Sequence, residues 1–100
     1  MTSRHYNSER VAREILIRKI GIGSEVATFK VDKGHPNGPE LHTITTTGII
    51  IIRNARTKKL VTKLIARPKQ ITRYFDKETD TVRRLVEIAK EHQSMGYNYK

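Results

Sequence analysis

Apolar residues return along this chain in two rhythms. Between Glu9 and Ile20, Val11, Ala12, Ile15, Leu16 and Ile20 recur at helical spacing, with Ser8 as N-cap and Glu9 in the first turn. The spacing predicts a helix over 9–20. Gly21-Ile22-Gly23 breaks it, and Ser24 offers a second cap before Glu25, Val26, Phe29 and Lys30, which fit a short second helix ending near Lys33-Gly34. A strand through Ala27–Val31 competes for the same residues. His35-Pro36-Asn37-Gly38-Pro39 is a loop, because two prolines and a glycine in so short a run suit neither helix nor central strand.

From Leu41 the rhythm changes to that of a sheet. Leu41–Thr46 is rich in β-branched residues and runs into Gly48, a residue suited to a tight hairpin turn. Ile49–Ile52 is apolar in both side-chain directions, which predicts a central strand covered on both faces. After the polar turn Asn54–Lys58, a strand over Leu60–Ala66 sets Leu60, Thr62, Leu64 and Ala66 on one face and Val61, Lys63, Ile65 and Arg67 on the other, one core and one charged. Pro68 stops it or moves it to an edge, leaving Lys69–Tyr74 as a short last strand or a helical turn. Asp76–Thr81 supplies caps for a last helix that buries Val82, Leu85, Val86 and Ala89, with Ile88 alongside, and ends by Gly96.

The predicted fold is therefore α+β: two N-terminal helices, an antiparallel three- to four-stranded β-meander, and a C-terminal helix packed on the sheet. One hundred residues make one domain, 1–100, with loose ends at 1–7 and 97–100. Helices on one side of the sheet leave its opposite, cationic face partly open.

Charge sharpens this picture. The net charge of +10 is uneven: residues 1–39 carry seven basic and four acidic groups, residues 40–75 eight and one, and residues 76–100 five and five. An excess concentrated in the sheet favours a polyanionic partner, nucleic acid first, with RNA favoured over DNA. No apolar run is long enough to span a bilayer and no signal sequence opens the chain, so a cytoplasmic protein without membrane association is expected. Absence of cysteine excludes disulfide and thiolate chemistry. The four histidines are dispersed and no Asp or Glu lies between Leu41 and Phe75, so neither metal nor cofactor is expected. Gly21-Ile22-Gly23 follows a helix and lacks the Lys-Ser/Thr ending of a phosphate-binding loop, and no serine sits in a nucleophile elbow.

The chemistry that remains is His42, Arg53, Lys63, Arg67, Gln70, Arg73 and Tyr74. Metal-free RNA cleavage needs a base for the 2′-hydroxyl, cations for the crowded phosphorane and an acid for the leaving oxygen. His42, Lys63, Arg67 and Tyr74 are the candidate catalytic residues; Arg53, Arg56, Lys58, Lys59, Lys69, Gln70 and Arg73 are candidate nucleic-acid contacts. Each has a plainer role. His42 can bond a neighbour within the sheet, Tyr74 can pack on the last helix, and Lys63 and Arg67 can sit in water. The roles of His5 and Arg13 depend on where the first helix docks. His35, His92, Tyr97 and Tyr99 read as loop, surface or tail residues.

The stretch from His42-Thr43-Ile44-Thr45 through Arg67-Pro68-Lys69-Gln70-Ile71-Thr72-Arg73-Tyr74, behind an N-terminal helix pair, resembles a broad group of small nucleases that includes barnase, EndoU, colicin-type tRNases and RelE toxins. It is also similar to small proteins of bacterial and phage origin. The resemblance implies a toxin-type, metal-independent endoribonuclease in which basic sheet residues and a tyrosine near the end of the chain orient and cleave RNA. Lys63, Arg67 and Tyr74 match those positions, and an antitoxin is the implied partner. Two other readings stand beside it: a non-catalytic nucleic-acid-binding protein, and a phage or mobile-element protein that inhibits a host protein through its basic face.

Overall fold

The computed structural model describes residues 2–97, with side chains described from Arg10 onward. Helix α1 (Thr2–Ile20) is followed by strands β1 (Glu25–Val31), β2 (Glu40–Thr45), β3 (Ile49–Asn54) and β4 (Leu60–Ile65), then by helices α2 (Pro68–Tyr74) and α3 (Asp80–Ser94). The strands form one antiparallel sheet in chain order, so β2 and β3 are central and β1 and β4 are edges.

The α+β class and the meander stand, and one element changes type. Glu25–Val31 is strand β1 and not a second helix; the competing strand is the one that forms. Pairing with β2 decides it, since Phe29 lies opposite His42 and Val31 opposite Glu40, and a bulge at Glu25/Ala27 accommodates the extra residue. Gly23 marks the entry, with φ of 74° and a would-be Cβ 2.5 Å from Thr46 Oγ1. Only glycine fits so close to that turn. Thr47 Oγ1 donates to the carbonyls of Gly21 (2.6 Å) and Ile22 (2.8 Å), pinning the α1–β1 link to the β2–β3 turn.

Helices pack on both faces of the sheet, and the face under α1 stays partly open toward β1, where Thr28 and Lys30 are exposed. On one face Ile17 of α1, with Leu16 and Ile20 partly buried, packs on Ile49, Ile51 and Ile65. On the other, Ile71 of α2 and Val82, Leu85 and Ala89 of α3 pack on Ile44, Ile50 and Ile52. The double burial of Ile49–Ile52 follows from the absence of polar positions in that run. The apolar stripe of α1 is rotated from the expected one: Ile17 is 3% exposed, whereas Val11 and Ile15 are 54% and 57% exposed. The helix also begins at Thr2 instead of Glu9.

Pro68-Lys69-Gln70 opens a helix and not a strand. Proline is at home in a first helical turn, where the missing N–H would have no partner, and Gln70 Oε1 accepts the Arg67 N–H at 2.8 Å. Helix α3 starts on Thr79, whose hydroxyl accepts the Val82 N–H at 3.2 Å. It ends with the Tyr97 N–H donating to His92 O (2.8 Å) and Gly96 N–H to Gln93 O (2.9 Å), the closing pattern of a Schellman turn. Within the end expected to be loose at 1–7, the backbone of Thr2–Asn7 forms the first turns of α1, and of 97–100 only Tyr97 lies among the described residues.

Candidate nucleic-acid interface

His42 and Tyr74 meet. Strand β2 turns Glu40, His42 and Ile44 toward the α2–α3 side of the sheet, and α2 delivers Tyr74 from its last turn. His42 is 4% exposed; its Nδ1 lies 2.5 Å from Tyr74 Oη and its Nε2 lies 3.0 Å from Glu40 Oε1. A single tautomer satisfies all three groups: Nε2–H donates to the Glu40 carboxylate, and Nδ1 accepts the Tyr74 hydroxyl proton. Burial pushes the Tyr74 phenol above its ordinary value, and the Glu40 charge pushes it further the same way. Phe29 closes over the pair, 5.4 Å from the Tyr74 ring and 5.2 Å from that of Phe75. Glu40 was outside the residues singled out from sequence. Its signal is its i, i+2 spacing to His42, which places both on one strand face.

The cations lie elsewhere. Lys63 pairs with Ile51 on the α1 side of the sheet, opposite to His42. It shares a crevice with Arg10, Arg13, Glu14, Leu60 and Thr62, in which Arg13 Nη2 donates to Thr62 Oγ1 at 3.3 Å. Arg67 does not share a strand face with Lys63, because β4 ends at Ile65 and Arg67 is the N-cap of α2. Gln70 caps that same helix, and Lys69 and Arg73 are exposed along it.

Arg53 ends β3 half buried, opposite Leu41. Arg56, Lys58 and Lys59 ride the β3–β4 hairpin and are exposed. The Arg56 guanidinium lies over Gly38, where a Cβ would approach its Cζ to 2.9 Å. Lys58 adopts a φ of 64° and turns its Nζ back to Ala55 O at 2.8 Å. Asn54 organises the turn, its Oδ1 accepting from the backbone of Arg56 (2.8 Å) and Thr57 (3.0 Å). Leu60 follows Lys59 directly and lines the crevice with Arg10, so Lys59 adjoins the α1–β4 edge, while Arg56 lies toward the β1–β2 loop.

Arg10 and Arg13 become part of this surface through the docking of α1, which its sequence spacing misplaces by a rotation. His92 is buried in α3 against Gly48, with its ring 6.0 Å from that of Tyr97, and is not a surface residue. His35 is exposed in its loop. Side chains of His5 and Tyr6, and all of Tyr99, fall outside the described residues.

Among the described residues no group of three or more His, Asp or Glu is placed to hold a metal ion, and no helix is long and apolar enough to cross a membrane. Comparison with known proteins finds no matching family model, curated protein or solved structure.

Proposed function

We propose that the protein binds nucleic acid through the sugar-phosphate backbone, with RNA as its expected partner, along the edge built by α1, β4 and the β3–β4 hairpin. One observation carries this reading: Arg10 and Arg13 from a helix and Lys63 from a strand converge on one crevice whose only acid among the described residues is Glu14. Chain segments about fifty residues apart have supplied charge of one sign to one place. Phosphate contacts explain such a surface without chemistry.

The test is binding of labelled RNA at increasing salt. Each cation that neutralises a phosphate contributes roughly one unit to the slope of log K against log salt. Replacing Arg10, Arg13 and Lys63 together by Gln should weaken binding at least about tenfold and flatten the slope by about two to three units. Unchanged affinity and slope would remove this surface from consideration.

A second reading, a metal-independent endoribonuclease, is favoured by the Glu40–His42–Tyr74 chain, an acid–imidazole–hydroxyl relay of the kind used for proton transfer. Its weakness is placement. His42 has both ring nitrogens engaged internally, and Lys63 is across the sheet. Incubation of total RNA with protein in EDTA decides it: cleavage by wild type, lost in Tyr74→Phe and in His42→Gln, would make the relay catalytic.

A further inference from the structure

Resting on the binding reading above, we infer that Glu14 reads the ribose 2′-hydroxyl and makes the α1–β4 edge select RNA over DNA.

Two crevices run between α1 and β4. One is bounded by Arg10 and Arg13, the other by Arg18 and Gly21, and both are lined by Glu14 and Lys63. The crevices therefore meet between an acid from the helix and a base from the strand. Lys63 is half-buried, whereas Glu14 is exposed, with Arg10 one turn before it and Arg18 one turn after it on the same side of α1. Glu40, Glu78, Asp80 and Glu87 hold ion pairs; Glu14, among the described residues, holds none, although cations surround it. Its carboxylate is left for a ligand.

A surface that only neutralised phosphates would gain from losing this acid. A carboxylate accepts hydrogen bonds and donates none, and the DNA backbone consists of anions and acceptors, so against DNA Glu14 can only repel. RNA differs at one group. Its 2′-hydroxyl is a donor set beside each phosphate, so a strand of RNA offers anion and donor in alternation. Lys63 and Glu14, on opposite walls of the junction, offer the matching cation and acceptor. Arg10 and Arg18, each about 6 Å from Glu14 along the helix axis, carry positive charge to the phosphates before and after. The bond from hydroxyl to carboxylate is charge-assisted and adds about tenfold in affinity. Phosphate contacts carry no information about the sugar, which leaves the choice between RNA and DNA at this edge to the acid.

The experiment is fluorescence anisotropy with the full chain and one hairpin sequence carrying a single-stranded tail. It is made as RNA, as DNA and as 2′-O-methyl RNA, which keeps the oxygen and loses the donor. Wild type should bind RNA about tenfold more tightly than either of the others. Glu14→Ala should bring the three affinities within about twofold of one another, with the DNA bound more tightly than by wild type. Glu14→Gln, which keeps an acceptor oxygen without the charge, should retain part of the preference. Lys63→Gln should weaken all three alike and lower the slope of log K against log salt by about one. Equal binding of RNA and DNA by wild type, a preference that survives Glu14→Ala, or 2′-O-methyl RNA bound as tightly as RNA would each overturn the inference and leave the binding reading intact. Failure of wild type to bind any of the three at low salt, or indifference of all three to Lys63→Gln, would sink the binding reading itself.

Discussion

Tyr74 Oη lies 2.5 Å from His42 Nδ1, tying the last turn of α2 to the centre of β2 across the sheet–helix boundary. Thirty-two residues separate the pair in sequence, so the bond exists only once α2 has packed. With Glu40 on the other ring nitrogen, every polar atom of the imidazole is satisfied inside the core. That completeness is what a buried polar chain needs to stabilise a fold.

Removing the hydroxyl tests this. Tyr74→Phe keeps the ring contacts with Phe29 but strands the buried Nδ1, and should cost about 1–3 kcal/mol in urea unfolding. It should also change behaviour in alkali. The folded-state phenol titrates above its unfolded value of 10.0, so the native state holds that proton more tightly. The stability it contributes is complete below pH 10 and is lost as pH rises through the folded value. Tyr74→Phe should remove that alkaline loss, and a wild type whose unfolding free energy is flat above pH 10 would refute the account.

His92 predicts the opposite limb. It is buried in the last turn of α3, with Nδ1 lacking a hydrogen-bond partner among the described residues, and burial lowers its pKa from 6.5 despite the opposing pull of Glu91. Below pH 6.5 the unfolded chain takes up the proton more readily than the native one. Stability should thus be full above that value and fall as pH drops toward the folded value. Unfolding measured from about pH 7.5 down to about pH 5 should show this slope in wild type and less of it in His92→Gln.

Docking of α1 centres on Ile17, with Leu16 and Ile20 beside it. Ile17→Ala should cost about 2–4 kcal/mol, because it empties a site enclosed by Ile49, Ile51 and Ile65. Ile15→Ala, on the exposed side, should change stability by less than about 0.5 kcal/mol. Equal effects in chemical denaturation would mean that the helix is rotated from the orientation described.

Gln70 separates capping from binding. Its carboxamide caps α2, so Gln70→Ala should lower thermal stability by about 0.5–2 kcal/mol. The affinity for RNA should stay unchanged. Weakened binding with unaltered melting would return Gln70 to the nucleic-acid contacts.

Several elements were legible because local rules and tertiary packing agreed. Ile49–Ile52 has no polar side to show to water, which makes it a doubly covered central strand wherever the helices lie. The last helix has caps at Thr79 and Gly96 and a clear stripe at Val82, Leu85 and Ala89. The loop at His35–Pro39 followed from proline and glycine. Glu25–Val31 was ambiguous because its seven residues fit both periods, and hydrogen bonds to β2 tipped the balance. The candidate site was legible in part. His42 and Tyr74 are readable as separate proton-carrying groups, whereas their contact, and the part of Glu40 in it, depends on the packing of α2 against β2.

What the sequence determined by itself is the α+β composition, the meander, the basic excess and the residues able to carry or contact a proton. These depend on side-chain type and on spacings of two to four residues, which the backbone converts directly into a shared face. What the tertiary structure alone decided is which groups stand together. Helix α1 contains Val11, Ile15, Leu16, Ile17 and Ile20 on more than one side, so its spacing admits two orientations, and only the fit of Ile17 against β3 and β4 selects one. That choice covers part of one sheet face and brings Arg10 and Arg13 to the edge of β4, while strand register sets Lys63 across the sheet from His42. Side-chain shape against a distant strand fixes the rotation of a helix, and no local rule contains that information.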